Sequence, residues 1–305
     1  MPTAHRPTPT AQTDPWRPPS AQQVTDYFAQ HAPNPPHPAR RLFVLIPIAA
    51  AATLALLVGG PAWLLLWATF IGSSLWARAQ FSQRQNLAQR VERAQELVRL
   101  RFNRPALRAI WQLIPQLTAH PTLQHGAIVV LARGFEQTHQ HDAALACYDR
   151  LTQDIPKGHP GAAMLNTRRA VAQLLSSRLA DADQTLRRLR NTLARDTATP
   201  QSSPKPPDAP MSAMLAFIEL LHATATAHYD QAIEESPQLI NTLQPLGLDA
   251  GYGYALRALS HHHRDGQSDN QNDNQDDAAH ARRWWQRATA LIPANALVDQ
   301  LPDLR

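Results

Sequence analysis

The sequence predicts an all-α chain: a membrane hairpin near its start, then a stack of helix pairs. Three observations predict it. The 36 residues Leu42–Ala77 contain no Asp, Glu, Lys, Arg, His, Asn or Gln. From residue 79 onward, apolar residues recur at the i, i+3, i+4 spacing of amphipathic helices. A small residue returns at a fixed interval of 38, at Ala106, Ala144 and Ala182.

The apolar run is too long for one crossing. A single helix spans a bilayer core with about 20 residues, and 36 residues in one helix would extend ~54 Å. Gly59-Gly60-Pro61 divides the run near its centre, where Gly permits a turn and Pro cannot continue the preceding helix. The expectation is two short membrane helices, Leu42–Val58 and Ala62–Ala77, within a hairpin at residues 40–78. Arg40 and Arg41 precede it, and Arg78, Arg84, Arg90 and Arg93 follow. Cations on both flanks place both flanks, and so both termini, in the cytoplasm of an inner-membrane, multi-pass protein. Trp63 and Trp76 stand where interfacial aromatics belong. A competing reading takes Arg40-Arg41-Leu42-Phe43-Val44 as a twin-arginine export signal and Ala77-Arg78-Ala79 as a cleavage site. A secretory apolar region is only about 7–15 residues long, which argues against it.

Residues 1–39 hold ten prolines among Thr, Ala, Gln and His, and are expected as a disordered Pro-rich tail. Within them a short helix over Ala21–Gln30 would put Val24, Tyr27 and Phe28 on one face. Net charge is +5, but the basic excess is dispersed and forms no stripe interleaved with aromatics, which excludes a nucleic-acid footprint. The single Cys147 excludes an internal disulfide and any cysteine-cluster metal site.

Residues 79–305 are the helical repeat domain. Residues 78–101 carry the stripe Leu87, Val91, Ala94, Leu97 and Val98, and the second membrane helix is expected to run straight into it. The clearest repeat is Gln124–Gly158. Its first helix carries Leu131, Ala132 and Phe135; its second carries Ala144, Tyr148 and Leu151; Pro156 closes it. Small residues let two helices cross closely, and the aromatic fills the space beside them. This unit resembles a tetratricopeptide repeat, a helix–turn–helix of about 34 residues. Leu87–His120 and Ala163–Asp196 resemble it too, although Arg169 and Gln173 depart from the first-helix pattern of the latter. The fourth unit, around Met211–Ile233, is degenerate, because Ser236-Pro237 reads as a new helix start. A fifth pair, Tyr252–His262 and Ala278–Ile292, is followed by a short closing helix through Leu297 and Leu301. Disordered inserts are expected at about 196–210 and 263–277.

The chemistry-bearing candidates are few. His261–Asp277 reads HHHRDGQSDNQNDNQDD, which suggests a metal site. Neighbouring His on a helix diverge by about 100°, and no EF-hand Gly or closing Glu is in place, so a solvated loop is expected. No phosphate loop, HExxH, GxSxG or CxxC occurs in the sequence. Cys147 reads as a packing residue, and Glu92, Glu96 and Glu136 as members of solvated faces. No catalytic residue, cofactor site or metal site is assigned, and an enzyme is the least favoured class.

The resemblance implies an α-solenoid, protein–protein recognition and a concave groove lined by first helices. On the repeat alignment Arg133, Glu136 and Arg168 face that groove. The expected function is a bacterial membrane-anchored scaffold or adaptor without catalysis, with a protein or peptide partner, the lipid bilayer as its surroundings and no nucleic acid. The rival is an exported or periplasm-facing assembly factor or co-chaperone in envelope or cytochrome biogenesis.

Overall fold

The computed structural model describes residues 16–33, 62–155, 160–198, 209–265 and 271–301. Among the described residues the chain is helical, with no strand. In chain order the helices are α1 (Ala21–Gln30), α2 (Ala62–Arg99), α3 (Asn103–Leu113), α4 (Pro121–Gln137), α5 (His141–Asp154), α6 (Pro160–Leu175), α7 (Leu179–Ala198), α8 (Ala209–Ala225), α9 (Tyr229–Leu243), α10 (Ala250–Asp265), α11 (Gln271–Leu291) and α12 (Ala294–Gln300). Short 3-10 turns follow α3 and α9. From α2 to α11 each helix packs on its sequence neighbour except α7 on α8, and first helices also meet, α2 with α4, α6 with α8, and α8 with α10.

One local device recurs. In the turn closing each of α2, α4, α6 and α8, one residue has positive φ: Arg101 (63°), His139 (60°), Ser177 (59°) and Ala227 (58°). Its N–H donates three residues back, and the following N–H donates five back, as in Phe102 to Leu97 O and Gln140 to Phe135 O. This is the Schellman arrangement, which satisfies the last carbonyls of a helix and reverses the chain. The first three positions are 38 apart, as are Ala106, Ala144 and Ala182, each five residues further on and fully buried. Ala232, also buried, stands five after Ala227. The fourth unit therefore keeps the register, displaced by extra residues before α8. Pro237 lies inside α9 and does not begin a new helix. An interior Pro costs about 3 kcal/mol. Ala232, Ile233, Ile240 and Leu243, all buried, hold the helix through it.

The first core runs from α1 to α6 and centres on Leu107, Ile110, Leu131, Phe135 and Tyr148. A second runs from α6 to Leu301 and centres on Ile218, Leu220, Leu256 and Ala288. Helix α6 serves both, giving Leu165 and Ala172 to one and Ala170 and Leu174 to the other. Helices α3 and α4 approach so closely that a Cβ on Gly134 would stand 2.7 Å from Leu107 Cδ2.

The expectation of a disordered tail over 1–39 fails between Ser20 and His31. Ser20 and Gln23 form a capping box, and Val24 and Phe28 are buried in the first core against α5. Tyr27 stacks on Trp111 at 4.0 Å between centroids and donates to its carbonyl at 2.7 Å. Gln124 Nε2 donates to His31 O at 2.8 Å. Apolar burial on one helical face overrides the Pro-rich composition around it.

Leu42–Val58 and the Gly-Gly-Pro turn lie outside the described residues. Ala62–Ala77 forms the start of α2, which runs unbroken to Arg99 as expected. Among the described residues no helix is long and apolar enough to cross a membrane. The insert expected to be disordered at 263–277 is in part helical: α10 extends to Asp265 and α11 begins at Gln271. The insert expected at 196–210 falls mostly outside the described residues.

Candidate functional site

A groove of about 1050 Å³ opens along the stack, lined mainly by the first helices of successive pairs. Its walls differ in character. Toward α2 and α4 it is charged, with Glu92, Glu96, Arg99, Arg101, Arg133 and Glu136, and Arg168 reaches in from α6. Toward α8 and α10 it is mostly apolar, with Val171 and Leu175 of α6, Met214, Phe217, Leu221, Leu246, Tyr252 and Leu301, and Asp249 beside them. Arg101, in the turn after α2, and Tyr252 of α10 both line the groove, and the arginine's charge tempers the rise that burial gives the Tyr252 hydroxyl, so the first and fifth pairs meet across it.

The three residues expected in the groove come together there. Arg133 and Glu136 lie three apart on one face of α4. Arg168 of α6 donates to Glu136 Oε2 at 3.4 Å, and Tyr148 of α5 donates to Oε1 at 2.8 Å. Glu136 is not part of a solvated face, since its side chain keeps only 19% of its exposure. Burial raises its carboxyl above the usual value, opposed first by Arg168, then by the Tyr148 bond and Arg133. Burial also pushes the Tyr148 hydroxyl well above its usual range, with Glu136 adding to the rise, so Tyr148 remains a donor. Cys147, fully buried beside this network, has its thiol raised by burial and by Glu136, consistent with packing. The carboxylate of Glu136 is thus already bonded, whereas Arg133 is exposed and, among the described residues, pairs with no other carboxylate.

Ion pairs tie neighbouring pairs together behind the groove. Arg169 reaches Asp149 at 2.7 Å, Arg178 reaches Asp142 at 2.8 Å, and Arg190 reaches Glu219 at 2.9 Å. The departure of Arg169 from the repeat pattern is therefore an inter-helix contact.

A second polar cluster was missed as a site, because His261–Asp277 was read as a solvated loop. Asp277 of α11 is buried and accepts from Arg264 Nε at 2.7 Å, and His261 Nδ1 lies 2.9 Å from its Oδ1. The Arg264 bonds hold the Asp277 carboxyl below its usual range, while burial holds the His261 ring below its own. The His280 ring stacks on His261 at 5.3 Å. The signal was the i, i+3 spacing of His261 and Arg264 on a helix that could continue past His262. Among the described residues no group of three metal-ligating side chains converges. The cluster joins α10 to α11.

Comparison with protein families, curated proteins and solved structures returns no match.

Proposed function

We propose that this chain is a membrane-anchored scaffold of TPR-like helix pairs that binds a protein or peptide segment in its groove and performs no catalysis. The groove carries this reading: five first helices contribute to one concavity with a charged wall and a half-exposed apolar wall. A surface of that kind suits a segment with apolar side chains along part of its length. The recurring Schellman turns at a spacing of 38 support assigning the pairs to one repeating unit.

Two observations support the anchor. From Ile71 to Asn86 every residue of α2 except Ser73 is exposed, so this part of the helix stands clear of the body. Trp67, Ile71, Leu75 and Trp76 leave between 51% and 62% of their surface open, continuous in sequence with the uncharged run. Exposed apolar area on that scale calls for a lipid or protein cover. The second observation concerns topology. Helix α1 precedes the apolar run, yet it packs in the core formed by helices that follow it. A single folded body lies on one side of a bilayer. Both flanks of the run then share that side, which favours a re-crossing hairpin over one crossing or a cleaved leader. The charge bias of the flanks makes that side the cytoplasm, in a bacterial inner membrane.

Photocrosslinking of the full chain in membranes tests the binding reading. A photoreactive residue replacing Phe217 or Val171 should capture discrete partners, while one at the exposed Arg187 of α7 should not. Equal capture at all three positions overturns the groove assignment. Topology reporters fused at residue 60 and at the C-terminus test the anchor, and an extracytoplasmic C-terminus refutes it.

A further inference from the structure

The exposed length of α2 carries more than an anchor. Beyond Ala77 the ionisable residues up to Val91 are all arginines: Arg78, Arg84 and Arg90. The first carboxylate is Glu92. Arg78 and Arg84 are exposed and, among the described residues, make no ion pair, whereas Arg90 donates to Gln116 Oε1 of the body at 3.1 Å. Phe81, midway between the two free arginines, leaves 61% of its surface open. On the helix it lies one turn from each of them.

Distances along the axis sort these residues. At ~1.5 Å per residue, Arg78 stands about 2 Å, Phe81 about 6 Å and Arg84 about 10 Å past the end of the apolar run. The headgroup layer on each side of a bilayer is roughly 5–7 Å thick. Arg78 and Phe81 therefore fall within it, and Arg84 falls a few ångströms beyond it, about one Debye length from the hydrocarbon boundary and within reach of the leaflet's charge. Arg90 would lie about 20 Å out and is already engaged with the body.

We propose that the exit of α2 is a binding surface for anionic lipid headgroups, with Arg78 and Arg84 as its cations and Phe81 seated between them. The occupant is a phospholipid of the leaflet that faces the body. The inference rests on the membrane reading of the apolar run. Each Arg near the surface adds roughly fivefold to the preference for anionic over zwitterionic lipid. Such a collar also fixes how deep α2 sits, and with it the height of the groove above the bilayer.

Full-length protein reconstituted in mixed phosphatidylcholine–phosphatidylglycerol vesicles provides the test, with spin-labelled analogues of each lipid as probes. A motionally restricted lipid population should appear and should be enriched in the phosphatidylglycerol label over the phosphatidylcholine label. The R78Q/R84Q double variant should lose several-fold of that enrichment, as should added salt, with the helical circular dichroism unchanged. Restricted lipid without headgroup preference, or a preference untouched in the double variant, overturns the collar while leaving the anchor intact. Absence of any restricted lipid overturns the membrane reading itself, and the collar with it.

Discussion

Phe28→Ala probes the contact on which the topology depends. Phe28 is buried in the first core, and with Val24 and Tyr27 it forms the docked face of α1. Truncating a buried Phe costs about 3–5 kcal/mol in lost transfer free energy and residual cavity. Helix α1 has ten residues, and an isolated helix of that length is marginal in water. Losing one of its two fully buried anchors should therefore undock and unfold it together. At about 1.4 kcal/mol per decade, a loss of 3 kcal/mol lowers amide protection across Ala21–Gln30 by about a hundredfold. Hydrogen exchange on the full chain in detergent micelles reads that change segment by segment. Trp111 should report the same event by fluorescence, because Tyr27 leaves its ring. Gln22→Ala, at an exposed position of the same helix, should change neither signal. Unchanged protection of α1 in Phe28→Ala would mean that the packing against α5 does not hold it, and the argument for a re-crossing hairpin would lose its structural support.

Four further expectations follow. Gly134→Ala places a methyl against Leu107 and should destabilise the chain by about 1–3 kcal/mol, read by chemical unfolding; an unchanged midpoint would contradict the close α3–α4 approach. Ala227→Gly relieves a left-handed residue whose side chain is exposed, and should stabilise by about 1 kcal/mol once the larger unfolded-state entropy of Gly is subtracted. Glu136→Gln keeps the acceptor for Tyr148 and removes a charge that burial disfavours, so thermal stability at neutral pH should hold or rise, whereas Glu136→Ala should cost about 1–3 kcal/mol; wild-type stability should also gain, relative to Glu136→Gln, as pH falls from the raised folded value toward the ordinary one. His261 is depressed in the fold, so the unfolded chain takes up its proton first and stability should begin to fall as pH drops below 6.5, with His141, also depressed by burial, adding to the same slope; Asp277, depressed too, contributes fully above its ordinary value and is lost only as pH falls through its lower folded value, so a melting-temperature profile whose first slope is undiminished in His261→Gln would refute this assignment.

Much of the fold was legible because repetition averages over local exceptions. Ala106, Ala144 and Ala182 marked the period, and each is a fully buried crossing point. Arg133, Glu136 and Arg168 were placed on one wall from the repeat register alone, and the structure brings them together. The misses have local causes. Helix α9 hides behind Ser236-Pro237, because a Pro signal is local while the burial of Ile240 and Leu243 is tertiary. Asp277 sits in a run of Asp, Asn and Gln that looks solvated, and only pairing with Arg264 across two helices explains its burial. Glu136 looked like one charge among many, because nothing in α4 reveals that Tyr148 and Arg168 converge on it from two other helices. The positive-φ turns carry Arg, His, Ser and Ala where Gly would have signalled them.

The division of the core at α6 bears on how the groove works. Stability in stacked repeats is close to a sum of nearest-neighbour terms, so an interface can loosen without melting the rest. The charged wall rests on the first core, which α1 and the docked half of α2 brace. The apolar wall rests mostly on the second. Helix α6 joins the two by apolar packing on both sides, and the Arg168 to Glu136 contact at 3.4 Å adds a polar link between α6 and α4. On the proposed reading, a segment that enters the groove covers Val171, Met214 and Phe217 and leaves the buried Glu136 network in place. On that reading the wall continuous with α2 keeps its orientation to the proposed anchor, and the wall that meets the partner is the one farther along the chain.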